Sequence, residues 1–440
     1  MFRYGPTIQS AVRLAWAFLF AAAAPALAGQ NLILGGVPAS GYVAVSVDAA
    51  GAQRATARGA AELSSDGVVV RPLSVDSAVR IASVSKLAVA IALHRLQDQG
   101  RLALDDDAAR HLGWRLRNPA HPDTPITLRQ LLRHEASLAD AGGYSFPLGV
   151  RLRDQLGPAS FSPAAPGTAF DYANLGYAIL GEVIEAVTGQ RFDGAMRTLV
   201  LDPLFIDGCF NWSGCAPGQA KAGAVLYRKS ADYGVTWNPE GPWIPQVDAR
   251  RPAACPVPLA RGADCNLASY VPGTNGSLFS PQGGLRIGAM DLIKLGRALM
   301  GKWPGFLSDA SLASLMTPAP VKAGGAGDET DTDLMQSWSP GGLHCFSGTG
   351  KPGGDQPLAP RPMAGCGHLG QAYGLFSGLV VDRQSGTIMA YAITGTGIAP
   401  PTGARSRFNT AEEAVFEMLA GQLQPAGEQA GRIPGPDEKD

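Results

Sequence analysis

Apolar positions recur along this chain with two different periods. Tyr42 to Asp48 alternates apolar and small residues, which predicts a strand; a Gly/Ala-rich turn follows, and Val68–Val70 predicts a second strand. In Ser85–Gln99 the apolar residues Leu87, Ile91 and Leu93–Leu96 fall at helical spacing, and Gly100 supplies a stop. Further helices are predicted from Thr127, a plausible cap, to Arg133, from Asn174 to Thr188 with Gly189 closing it, and from Ala289 to Met300. The apolar runs Leu375–Asp382 and Thr387–Thr394 flank Arg383–Gly386 and read as a hairpin, and Glu412–Leu423 as a last helix. Strands at both ends with helices between them predict one antiparallel sheet built from both termini, with helices packed on it.

Three segments depart from these patterns. Arg3 and Arg13 precede or open an apolar run from Leu14 to Ala24, and Ala26-Leu27-Ala28 follows as a small-residue cleavage site, so residues 1–28 read as an export signal. That run is shorter than the roughly 20 residues a bilayer span needs, and no stable membrane span is expected after cleavage. Residues 208–276 are rich in Pro, Gly and Trp and hold four of the six cysteines, a loop-rich insertion rather than a second domain. Residues 425–440, rich in Pro, Gly and charge, read as a disordered tail. The body of the chain is thus a single domain over 29–424.

Composition narrows the function. Charged residues make up 17% of the chain and the net charge is −1, with no clustered Lys/Arg to bind phosphates, so no nucleic-acid partner is expected. Six cysteines agree with an oxidising compartment, periplasmic or secreted. Cys209/Cys215, Cys255/Cys265 and Cys345/Cys366 are the neighbour pairings, although spacing alone leaves the connectivity open. The histidines are scattered and no CxxC or HExxH spacing occurs, so neither a metal nor an organic cofactor is expected. Asp105-Asp106-Asp107 reads as a solvated turn.

Two short motifs carry chemistry. Ser83-Val84-Ser85-Lys86 is the only Ser-x-x-Lys, and at a helix start the two side chains share a face. An ammonium that loses its proton readily beside a hydroxyl supplies the base a serine nucleophile lacks. Tyr172-Ala173-Asn174 is the only Tyr-x-Asn, directly ahead of a predicted helix, where Asn174 would otherwise be a simple cap and Tyr172 core packing. Either motif alone is weak.

Together with Phe170–Tyr177, Ile126–His134, Pro166-Gly167-Thr168 and Gly283-Gly284-Leu285, these motifs resemble the serine β-lactamase superfamily in order, from about residue 40 to about residue 395. By pattern, class C β-lactamases, DD-peptidases and esterases of that fold are the relevant members. The resemblance implies an α/β (α+β) fold: an antiparallel sheet flanked by helices, with an inserted, mainly helical lobe and the site between lobes. The family's third motif, Lys/His-x-Gly, has several matches here: Lys221-Ala222-Gly223, Lys322-Ala323-Gly324, Lys351-Pro352-Gly353, His111-Leu112-Gly113 and His368-Leu369-Gly370. Only the last stands just ahead of the C-terminal hairpin, and we assign the motif there; a Cys345–Cys366 bridge would brace its strand.

The resemblance implies that Ser83 attacks the carbonyl and forms an acyl-enzyme, with Lys86 and Tyr172 sharing proton transfer and Tyr172 as general base. Asn174 would bind substrate or Lys86, and His368 and Gly370 would contribute to substrate binding. The N–H groups of Ser83 and Gln371 would form the oxyanion hole. A tyrosinate base, from a phenol that ionises near about 10, needs the positive charge of Lys86 beside it. Within Leu132-Arg133-His134-Glu135, His134 reads as structural. Leu369 lacks the hydroxyl many β-lactamases use to hold the antibiotic's carboxylate, and His368 lacks a permanent charge. Poor β-lactam turnover is therefore expected, with an ester, amide or D-amino-acid peptide as substrate. The alternative is a catalytically weak relative that binds peptidoglycan fragments, favoured by Leu369 and by Glu135-Ala136-Ser137 where relatives often have Thr-Ser-Gly.

Overall fold

A computed structural model describes residues 32–230, 236–323, 334–347, 354–358 and 363–423. The expected export signal and C-terminal tail, and the Lys351 motif, lie outside these residues. β1 (Val37–Val47), β2 (Gln53–Leu63) and β3 (Val69–Pro72) come from the N-terminal part and β4 (Leu226–Lys229) from the middle. β5 (Ser337–Trp338), β6 (His344–Ser347), β7 (Ala364–Ala372), β8 (Leu375–Asp382) and β9 (Thr387–Thr396) come from the C-terminal part. The sheet runs β5-β6-β7-β8-β9-β1-β2-β3 with every neighbour antiparallel. The two ends of the chain meet at its centre, with Ala390 opposite Val45 and Ala392 opposite Val43. β4 joins the end of β9 in parallel, Gly395 opposite Tyr227.

Both faces of the central strands are covered, which is why β8 and β9 read as continuous apolar runs. Ile388, Ala390 and Ala392 face a core shared with α1 (Ser85–Asp98), while Met389, Tyr391 and Ile393 face the C-terminal helix. α1 is buried on nearly all sides; Ala88, Ala90 and Ala92 let neighbours approach closely, and only its C-terminal end reaches solvent. α2 (Leu128–Leu132) opens with a capping box in which Thr127 Oγ1 accepts from Gln130 N–H and the Gln130 side chain accepts from Thr127 N–H. α3 (Asn174–Thr188) ends at Gly189 with φ of 70°, as the C-cap signal requires. α4 (Ala289–Leu299) lies on the α1 side of the sheet and α5 (Thr410–Leu423) on the other. Among the described residues no helix is long and apolar enough to cross a membrane.

The Gly/Ala-rich turn expected after the first strand is confined to residues 48–52, and the stretch beyond it forms an eleven-residue strand, Gln53–Leu63, one of the longest in the sheet. Its alternation is carried by Ala and Thr against Arg54, Arg58 and Glu62, too weak a contrast to read from sequence. Pairing with β1 and β3 holds it extended, and Gly59 sits at φ 84° where a Cβ would meet the Ser40 carbonyl. The described residues within 208–276 contribute β4 to the main sheet and a strand Trp243–Val247 paired with it, more regular structure than a loop-rich insertion implies. All three neighbour disulfides form: Cys209–Cys215, Cys255–Cys265 and Cys345–Cys366. The last joins directly opposed residues of β6 and β7.

Candidate active site

Ser83 lies in one tight turn, Ala82–Val84, at the foot of α1. Ala82 takes φ 44°, a left-handed conformation that a non-glycine residue holds only under constraint. The constraint is visible on both sides. Ser377 Oγ of β8 donates to the Ile81 carbonyl at 2.9 Å, and Ser85 Oγ donates to the Ala82 carbonyl at 2.7 Å while accepting from Leu285 N–H at 3.0 Å.

Lys86 is fully buried one turn on, and its Nζ lies 2.9 Å from Ser83 Oγ, 2.8 Å from Asn174 Oδ1 and 3.0 Å from the Gln282 carbonyl. Burial lowers its pKa to about 7, with the Asp140 carboxylate opposing the shift. In the neutral amine two N–H bonds serve Asn174 and Gln282, and the lone pair is left for the Ser83 hydroxyl proton.

The position of Asn174 is set from a distance. Ala173, not Asn174, is the N-cap of α3, and Asp140 does the capping, accepting from Asn174 N–H and Leu175 N–H at 2.9 Å each. Asp140 Oδ2 also accepts from Asn174 Nδ2 at 2.9 Å, so the Asn174 amide oxygen points at Lys86. Asn174 is thus no simple cap.

Tyr172 lines the cleft beside Ser83, with Lys86 Nζ 4.9 Å from its ring centroid. The His134 ring stacks on it at 4.2 Å and 25°. His134 sits at φ 56°, accepts from Ala173 N–H through Nδ1 at 3.1 Å, and meets Trp338 edge-on at 5.1 Å. Burial, then the nearby Lys86 and His368, push its pKa well down, so it is neutral. Its ring packs on Tyr172 and its Nδ1 holds Ala173 N–H, so it backs the Tyr172–Asn174 segment.

β7 forms the opposite wall. Gly370 faces the Ser83 turn so closely that a Cβ there would come within 2.5 Å of the Ile81 carbonyl and 3.1 Å of Ser83 N. Gln371 is exposed at the mouth, next to Gly370. His368 shares the Gly370 face of β7 but is fully buried behind the lining. It lies edge-on to Trp338 at 5.4 Å with Nδ1 2.5 Å from the Leu369 carbonyl, and burial with the Lys86 charge pushes its pKa well down. Leu369, Gly370 and Gln371 therefore present the wall, and His368 supports it. The competing motifs lie elsewhere: His111 pairs with Asp106 at 2.9 Å and Lys322 with Glu135 at 3.2 Å, while Lys221 is exposed at the end of a short helix.

The result is a cleft of about 370 Å³ with Ser83, Tyr172 and Asn174 on one side and β7 on the other. Sequence reasoning missed Asp140 and the Gln282 carbonyl. Asp140 is separated from its partner by 34 positions and the Gln282 contact spans 196, so no local pattern signals either.

A lysine-paired serine at the foot of a buried helix, over an antiparallel sheet closed by both chain ends, defines the β-lactamase class of α/β fold. The chain belongs to the Beta-lactamase family, whose model matches residues 42–412. It is 30% identical over 280 residues to esterase EstB of Burkholderia gladioli, covering 59% of this chain and 65% of the esterase. It is 32% identical over 143 residues to the D-alanyl-D-alanine-carboxypeptidase/endopeptidase AmpH of Escherichia coli K12, covering 31% and 37%. The chain thus matches less than two thirds of the length of either curated relative. Among solved structures, the D-amino acid amidase of Ochrobactrum anthropi SV3 superposes with a TM-score of 0.60 at 18% identity, over 88% of this chain and 96% of that one. At that identity the likeness is one of fold.

Proposed function

We propose that this chain is an exported serine hydrolase that cleaves an ester, amide or D-amino-acid peptide bond through an acyl-Ser83 intermediate, with weak or no β-lactam turnover. The observation that carries the reading is the buried Lys86 amine, 2.9 Å from Ser83 Oγ and with a pKa of about 7. Lys86 takes the hydroxyl proton as Oγ adds to the substrate carbonyl. The N–H groups of Ser83 and Gln371 hold the oxyanion, which is why β7 must approach the turn as closely as Gly370 allows. Tyr172, its ring against Lys86 Nζ, passes the proton to the leaving group as the tetrahedral species collapses. Water then enters, the same groups draw its proton, and the acyl group leaves as an acid. The 2.9 Å contact of Lys86 Nζ with Ser83 Oγ supports assigning the first proton transfer to Lys86, with Tyr172 sharing the proton work. The esterase and carboxypeptidase relatives support the substrate range. The apolar Leu369 and the neutral, buried His368 support weak binding of a β-lactam carboxylate, and the three disulfides support a periplasmic or secreted location.

The test is labelling of the protein lacking residues 1–28 with an alkyl fluorophosphonate and with a fluorescent penicillin, followed by peptide mapping. The phosphonate is expected on Ser83 and absent from Ser83→Ala, with little penicillin adduct. A folded protein that neither reagent labels would overturn the hydrolase reading in favour of cell-envelope ligand binding.

A further inference from the structure

We propose that Tyr373 is a specificity residue of the cleft, an aromatic lip that stacks on an uncharged aryl group of the substrate about 10 Å from the reacting carbonyl. The inference rests on the acyl-serine reading above and names a substrate class for that site.

Ala372 pairs with Leu375, so β7 and β8 are joined by the two-residue loop Tyr373-Gly374. Both loop residues take left-handed backbone, with φ of 58° and 81°. A hairpin loop of that shape favours Asn-Gly or Asp-Gly. Gly374 suits the second position, but a bulky aromatic at the first is held against its own preference. Neither the turn nor burial accounts for a tyrosine there, since Tyr373 is 41% exposed.

Arg80, three residues ahead of Ser83, places its guanidinium 4.6 Å from the centre of the Tyr373 ring. It is anchored by an Nε–H donated to the Gly283 carbonyl at 2.8 Å, next to the Gln282 carbonyl that holds Lys86. One ring face is thus covered from the segment that leads into Ser83. The exposed area lies on the other face and edge, where Tyr373 lines the cleft together with Ser83. A ring backed by a guanidinium is fixed in orientation, so stacking on it costs little further ordering. The same guanidinium repels a second cation across the ring, which leaves an uncharged planar group as the suited partner. The strand sets the reach. Gly370 abuts Ser83, and three residues of extended chain carry β7 from there to Tyr373, about 10 Å.

The experiment compares second-order rates of Ser83 labelling by alkyl fluorophosphonates that end in phenyl or in cyclohexyl, matched in length and apolar bulk. With a six-carbon spacer the phenyl compound is expected to react about fivefold faster, the size of an aromatic-pair preference. With a two-carbon spacer, too short to reach Tyr373, the ratio is expected near one. Tyr373→Phe is expected to retain the long-spacer preference. Tyr373→Asn and Tyr373→Gly are expected to fold, because both residues suit the left-handed position, and to abolish the preference. A wild-type ratio near one at six carbons, an equal preference at two, or a preference that survives both Tyr373→Asn and Tyr373→Gly overturns the proposal. Failure of both variants to fold makes Tyr373 a packing residue and overturns it as well. If no phosphonate labels Ser83 in the folded wild type, the hydrolase reading fails separately. Calorimetry then decides the lip: 6-phenylhexanol bound about fivefold tighter than 6-cyclohexylhexanol by the wild type but not by Tyr373→Asn supports it, and equal or absent binding overturns it.

Discussion

Asp140 grips Asn174 twice: one carboxylate oxygen accepts both the backbone N–H and the side-chain Nδ2 of Asn174 at 2.9 Å. A helix cap and the orientation of a site residue are thereby one interaction. The amide oxygen left over faces Lys86, so the same carboxylate also sets the field at the lysine amine.

Replacing Asp140 with Asn tests both consequences. The cap loses its anionic acceptor, which costs about 0.5–2 kcal/mol and lowers Tm. The Asn174 amide is no longer held in one orientation, and kcat/KM is expected to fall about tenfold or more. Loss of the neighbouring negative charge lowers the Lys86 pKa further, so the acid limb of the pH–rate profile moves to lower pH. An acid limb that moves upward would refute the assignment of that limb to Lys86.

Lys86 also leaves a signature in stability. Its pKa is about 7 in the folded chain against 10.5 for an ordinary lysine. Between those values the unfolded chain holds a proton that the folded chain does not, so stability rises with pH across that window. The destabilising effect of the buried ammonium is fully present below pH 7 and relieved toward pH 10.5. Lys86→Met removes it, a difference on the order of several kcal/mol between the extremes. Thermal melts should show the variant's advantage over wild type greatest in acid and shrinking as pH rises; an advantage independent of pH would contradict a shifted Lys86.

How much of this was legible in the sequence follows from the range of each signal. Thr127 as the cap of α2, Gly189 beyond α3, the Leu375–Thr394 hairpin and the Ser83/Lys86 spacing are written within a few residues, and each appears as read. β2 was not legible, because its pattern is made of Ala, Thr and Gly and its extended form is imposed by two neighbouring strands. Asp140 was invisible for the same reason of distance. His368 was read at the cleft because its motif is there; it stands on the Gly370 face of β7, but fully buried and edge-on to Trp338, a burial that depends on a tryptophan 30 positions away. His134 was read as structural without the consequence that it carries Tyr172.

That consequence gives a third test. His134→Phe keeps an aromatic face for Tyr172 but leaves the buried Ala173 N–H without its acceptor, at a cost of about 1–3 kcal/mol. Both Tyr172 and Asn174 flank that N–H, so kcat should fall about tenfold with KM changed less, since the variant disturbs the proton-transfer groups and not the β7 wall. Unchanged kcat with lowered Tm would reduce His134 to a packing residue.

Gly370→Ala probes the opposite wall. The added methyl would lie 2.5 Å from both the Ile81 carbonyl oxygen and Ser377 Oγ, and 3.1 Å from Ser83 N. Backbone atoms of a pinned turn cannot move aside cheaply, so β7 must retreat or the Ser377–Ile81 hydrogen bond must break. Either movement is expected to pull Gln371 N–H away from Ser83 N–H and so to open the proposed oxyanion hole. Loss of one such donor in other serine hydrolases costs about 10²–10³ in rate, and a drop of that order is expected here. The amine beside Ser83 Oγ is untouched by the change, so phosphonate labelling should slow by far less than ester hydrolysis if the nucleophile and the hole are separately assembled. Equal losses in both would mean that Gly370 supports the Ser83 turn itself.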